Sequence, residues 1–66
     1  MMNNLKVLRA IKNISQEELA KQIEVSRQTI NAMEKGKYVP STVLALKLAR
    51  YFEKSVEEIF SLESTD

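Results

Sequence analysis

The chain has no cysteine and no histidine. Disulfides and the usual zinc and haem arrangements therefore have no residues to build them, and the commonest general base is missing. Glycine and proline occur once each, at Gly36 and Pro40. Both fall in the stretch Lys35-Gly36-Lys37-Tyr38-Val39-Pro40, while the remainder is rich in Leu, Ala, Glu, Lys and Ile. That is a helical composition with one principal break. No apolar run approaches the roughly 20 residues of a membrane span, and Met1-Met2-Asn3-Asn4 leads into a segment broken by Lys6, Arg9 and Lys12 rather than into a leader. The expectation is a soluble, cytoplasmic protein without membrane contact. At 66 residues it makes a single domain, 1–66, near the lower limit at which a core sustains a fold without staples.

The formal net charge of +1 conceals a sorting of charge along the chain. Residues 1–12 carry Lys6, Arg9 and Lys12 and no acid; residues 35–54 carry Lys35, Lys37, Lys47, Arg50 and Lys54 against Glu53 alone; the end carries Glu57, Glu58, Glu63 and Asp66 and no base. Such sorting permits a phosphate-facing surface. Taken by itself, it is equally the pattern of ordinary solvated helix faces.

Apolar spacing divides the chain into five helices. Leu5, Leu8 and Ile11, with Val7 beside them, mark the inward face of a first helix ending near Lys12-Asn13. Ser15-Gln16-Glu17-Glu18 has the form of a capping box and opens a second helix with Leu19, Ala20 and Ile23 inward. Ser26 caps a third, from about Arg27 to Lys35, with Ile30 and Met33 inward and Gly36 as its C-terminal glycine. Pro40-Ser41 opens a fourth, carrying Val43, Leu44, Leu46, Leu48, Ala49 and Phe52. Ser55-Val56-Glu57-Glu58, a second capping-box form, opens a short fifth helix with Ile59 and Phe60. The polar tail Glu63 to Asp66 is expected to fray.

The stretch Gln16 to Glu34 carries the functional signal. Two short helices meeting across a tight turn need a small residue at their contact, supplied by Ala20, and an apolar plug just past the turn, supplied by Val25. With Ile30 and Met33 inward, the third helix turns Arg27, Gln28 and Asn31 outward. Arginine pairs bidentately with guanine, and glutamine or asparagine with adenine; the helix end behind an N-cap serine offers free amides to a phosphate. Any one of these polar residues alone would be explained by solvation. Concentrated at the start of one helix, after this two-helix spacing, they point to a duplex.

The pattern Q-E-E-L-A…V-S-R-Q-T-I-N-x-x-E-K-G-K-x-x-P-S, with the flanking L-x-x-L-R and A-L-K-L-A…E-E-I-F, resembles the phage lambda repressor and Cro-like helix-turn-helix regulators over nearly the whole chain. Within that family it looks most like the compact cytolysin-repressor-type bacterial regulators. The resemblance implies an all-α, five-helix fold with the helix-turn-helix at about 16–35 and short terminal strands at a dimer interface. It further implies no catalysis, no cofactor or metal, and a homodimeric repressor on a palindromic double-stranded operator. Carried over by position, Arg27, Gln28, Asn31 and the adjacent Thr29 face bases. Gln16, Ser26, Lys35, Lys37 and Tyr38 face phosphates, Arg9 and Glu34 form a salt bridge between the first and third helices, and Met1, Met2, Phe60 and Leu62 form the dimer interface. One departure concerns the turn: the position usually held by glycine is Glu24, and a left-handed backbone there costs roughly 1 to 2 kcal/mol.

Two rival classes bear on the same residues. A protein-interaction module, such as an antitoxin-like subunit with secondary DNA binding, would rest on the acidic C-terminus, which lacks the apolar extension a gripping tail needs. An enzyme would need a nucleophile or a carboxylate pair, whereas Ser15, Ser26, Ser41 and Ser55 are accounted for as helix caps. A core this small leaves little volume for a small-molecule ligand.

Overall fold

The computed structural model describes all residues, 1–66. In chain order the elements are β1 (Met2–Asn3), α1 (Leu5–Lys12), α2 (Gln16–Gln22), α3 (Arg27–Glu34), α4 (Thr42–Phe52), α5 (Val56–Ile59) and β2 (Phe60–Ser61). The five helices stand where the serines and apolar spacing put them, and the two terminal strands pair antiparallel within the one chain, Met2 opposite Ser61 and Asn3 opposite Phe60. None of the helices is long and apolar enough to cross a membrane.

Four serines begin four helices. Ser15, Ser26, Ser41 and Ser55 each hold an extended backbone and accept, through Oγ, the amide three residues on, at Glu18 (3.0 Å), Thr29 (3.1 Å), Leu44 (3.1 Å) and Glu58 (3.2 Å). Only Ser55 completes the box, its own amide donating to Glu58 Oε1 at 2.9 Å. At Ser15 the reciprocal bond is absent, so the capping box expected there is a plain N-cap.

Helix ends follow one rule as well. After α1, α2, α3 and α4 the chain turns through a left-handed residue: Asn13 (φ 57°), Glu24 (φ 60°), Gly36 (φ 73°) and Glu53 (φ 55°). Each time the following amide reaches back five residues, as in Ile14 to Arg9, Val25 to Ala20, Lys37 to Ala32 and Lys54 to Ala49, at 2.9 to 3.1 Å. These are Schellman closures, and three of the four sit on residues with a Cβ.

The core is formed by Leu5, Leu8, Leu19, Ala20, Ile23, Ile30, Met33, Leu44, Leu48, Phe52, Ile59 and Phe60, drawn from every helix and from β2. Ile11 is not part of it and stands 75% exposed, with Val7 also outside. Each three-residue step on a helix falls short of a full turn by about 60°, so Ile11 has rotated well off the face that Leu5 defines; Arg9 takes the inward place instead. On α4, Val43 and Leu46 likewise face outward while Leu44, Leu48 and Phe52 go in. Phe60 corrects the expectation of an interface residue: it is 7% exposed in the chain's own core, because the extended backbone after α5 throws it inward and Ser61 outward. The tail is not frayed. Glu63 accepts and donates within a turn closed by Asp66 (Glu63 N to Asp66 Oδ2, 2.8 Å; Asp66 N to Glu63 O, 3.0 Å), and both carboxylates meet the Met1 ammonium, at 3.5 and 3.1 Å.

Candidate nucleic-acid interface

α2 and α3 pack through Leu19, Ala20, Ile23, Ile30 and Met33, all buried, and this fixes what α3 shows to solvent. Arg27 and Gln28 in its first turn are exposed and Asn31, one turn on, is half-buried. Together with Gln16 at the start of α2 they line a shallow, wholly polar depression of about 210 Å³. Thr29 is placed differently: its hydroxyl shares a hydrogen bond with Ser26 Oγ at 2.9 Å, so both hydroxyls serve the cap of α3.

Behind this face lies the Arg9–Glu34 pair. Arg9 Nε donates to Glu34 Oε2 at 2.6 Å and Nη2 to Oε1 at 3.1 Å, a bidentate fork, and Nη1 donates to the Ile14 carbonyl at 2.9 Å. The side chains are only 15% and 6% exposed. Burial works against the Glu34 charge, but hydrogen bonds from Arg9 and Gln16 and the positive charges of Arg9 and Lys6 outweigh it and hold the carboxyl below its ordinary 4.5. The Glu34 hydrogen bond holds the Arg9 guanidinium above its usual range against the opposing effect of burial.

Gln16 joins the ion pair to the outer face. Its Nε2 donates to Glu34 Oε1 at 3.1 Å and to Asn31 Oδ1 at 3.4 Å. Gln16, the residue expected at a phosphate, thus has its side-chain nitrogen directed to these two partners.

Lys35, Lys37 and Tyr38 follow α3 on the exposed loop around Gly36. Sequence reading missed Asn3. Its Nδ2 donates to the Met33 carbonyl at 2.7 Å and its Oδ1 accepts from Leu5 N at 3.1 Å, so β1 is fastened to the end of α3. The doublet Asn3-Asn4 ahead of the first helix was the available signal, Asn4 Nδ2 binding the Glu58 carbonyl at 3.1 Å. Met2 and Leu62, the remaining exposed apolar residues near the strands, are 53% and 76% exposed, and Met1 is half-buried against the core. Glu63 and Asp66, on which a gripping acidic tail would depend, are engaged by the Met1 ammonium.

A family profile for helix-turn-helix domains matches residues 5–59, the span from the first residue of α1 to the last of α5. The chain belongs to the lambda repressor-like helix-turn-helix regulators. Among its relatives, an uncharacterized HTH-type transcriptional regulator of Methanocaldococcus jannaschii is 53% identical over the full length of both chains. The uncharacterized HTH-type transcriptional regulator YgzD of Bacillus subtilis is 49% identical over 96% of each. The HTH-type transcriptional activator BcrR of Enterococcus faecalis is 37% identical over 89% of this chain, which corresponds to 29% of that longer protein.

Proposed function

We propose that this helix-turn-helix domain is a sequence-specific repressor that binds a palindromic operator as a homodimer in the cytoplasm, with α3 in the major groove. The observation that carries this reading is the depression lined by Gln16, Arg27, Gln28 and Asn31, a set of hydrogen-bonding side chains at the exposed start of one helix, backed by a buried ion pair. Arg27, Gln28 and Asn31 select bases, with Thr29 set back at the cap. Phosphates are held by Lys35, Lys37 and Tyr38 after α3 and by the backbone amides near Gln16 and Ser26. The second copy joins through Met1, Met2 and Leu62 beside the terminal strands, placing the two recognition helices about 34 Å apart along the duplex.

Repression needs only that the bound domain occupy the path of polymerase. In the relative named an activator, most of the protein lies outside the part matched here. Selection of bound sequences from a random duplex pool tests the proposal. A palindrome with half-sites about 10 base pairs apart, held about a thousandfold more tightly than random DNA, is the expected result. An asymmetric winner would refute the dimeric arrangement, and no winner would refute operator recognition.

A further inference from the structure

We infer that Asn3 is a positioning residue that sets the half-site spacing of the operator, because its side chain is the hydrogen-bonded link between the terminal strands and the reading helix. The inference rests on the proposal that α3 enters the major groove and that a second copy joins beside the strands.

Successive residues of a strand point to opposite faces, and the register sets Met2 opposite Ser61 and Asn3 opposite Phe60. Met2 and Ser61 are exposed, whereas Asn3 is half-buried and Phe60 lies in the core. One face of β1 thus carries an apolar residue of the proposed dimer surface, and the other is turned to the end of α3. There Asn3 Nδ2 donates to the Met33 carbonyl at 2.7 Å and Oδ1 accepts from Leu5 N at 3.1 Å. A backbone carbonyl only accepts and a backbone amide only donates, so these two partners fix the orientation of the Asn3 amide. The bond to Met33 is the one hydrogen bond between β1 and α3. The neighbouring Asn4 holds α5 instead, its Nδ2 donating to the Glu58 carbonyl and its backbone amide to that of Ile59, both at 3.1 Å.

A dimer that has bound one half-site meets the second at an effective concentration set by how firmly its other reading helix is held at the right distance. One base pair inserted between the half-sites moves the second by about 3.4 Å and turns it by about 35°. With α3 tied to β1, that misfit is not absorbed and the second helix is lost from the groove. Without the tie, the end of α3 can shift against the strands. Asn3 therefore contributes to binding of paired half-sites and not to binding of one half-site alone.

The test measures affinity for three duplexes: the selected operator, the operator with one half-site scrambled, and the operator with one base pair inserted between half-sites. Wild type is expected to bind the operator about a hundredfold more tightly than the single half-site, and the insertion to lose nearly all of that gain. Asn3→Asp keeps the acceptor for Leu5 and removes the donor to Met33. It should lose about tenfold on the operator, leave the single half-site unchanged and bring the insertion penalty within about tenfold. Uncharged Asn3→Ala should behave alike, and both should sediment as dimers. Equal losses on operator and single half-site would make Asn3 merely structural and overturn the inference. Unchanged operator binding, a monomeric Asn3→Asp, or a wild type indifferent to the insertion would overturn it as well. A wild type that selects no palindrome overturns the underlying reading of the site instead.

Discussion

Arg9 and Glu34 meet in a bidentate fork at 2.6 and 3.1 Å while almost shielded from water. Partners so placed cost far more to separate than an exposed pair, because the survivor is left charged and uncompensated; the expected loss for Glu34→Ala is about 3 kcal/mol at neutral pH. In a chain this short that is a large part of the stability. The sign of its pH dependence follows from the lowered Glu34 value. The stabilisation is whole above the ordinary 4.5 and is lost as pH falls through the lower, folded-state value. Thermal melts of wild type and Glu34→Gln across that range should therefore differ most at neutral pH and converge in acid. Parallel curves down to strong acid would show that the carboxylate's charge is not what the fold uses. The pair itself was legible only through the family pattern, since Arg9 looks like any charged residue on an amphipathic helix. The links from Glu34 through Gln16 to Asn31 were not legible, because they depend on how α2 and α3 pack.

At the scale of elements, the starts of helices were easier to read than their ends. A serine ahead of an apolar stretch has one favourable place to put its oxygen, and all four do so. The left-handed closures leave no such mark unless glycine occupies them. Gly36 was legible, and Glu24 was recognised only as a departure from a glycine-bearing pattern. Asn13 was read only as the place where the first helix ends, and Glu53 carried no signal. Their strain is a reserve of stability: Glu53→Gly, on the exposed end of α4, should raise the unfolding free energy by about 1 kcal/mol, measured by urea titration. Gly36→Ala should lower it by a similar amount. The Met1 carbonyl lies 3.5 Å from where the new Cβ would stand, an ordinary contact, so backbone strain alone sets that cost. A neutral Glu53→Gly would mean that the carboxylate side chain contributes something that offsets its strain.

Across the whole molecule, the longest dimension is 31 Å, less than one turn of duplex at about 34 Å. On the proposed reading, with α3 in the major groove, one copy reaches one stretch of groove and a second stretch requires a second copy. The apolar residues exposed near the termini are Met2 and Leu62, while Asn3 ties β1 to the end of α3, so an interface at the strands would be rigidly coupled to the reading face. Sedimentation is expected to give a mass near twice the 7.6 kDa of the chain, with Leu62→Lys shifted to monomer. A monomer at high concentration for the wild type would contradict it. Burial of Phe60 could not be read from its sequence neighbours, since it depends on β1 and β2 meeting across the full length of the chain.

The central claim is that α3 reads bases while the loop after it holds phosphates. Its most direct test is the affinity of wild type, Arg27→Ala and Lys37→Ala for the selected operator and for random duplex at several salt concentrations. Arg27→Ala should lose about 1 to 3 kcal/mol on the operator and little on random DNA, relaxing preference at one position. Lys37→Ala should weaken both duplexes alike and lower the salt slope by about 1. Equal losses on operator and random DNA for Arg27→Ala would contradict the account.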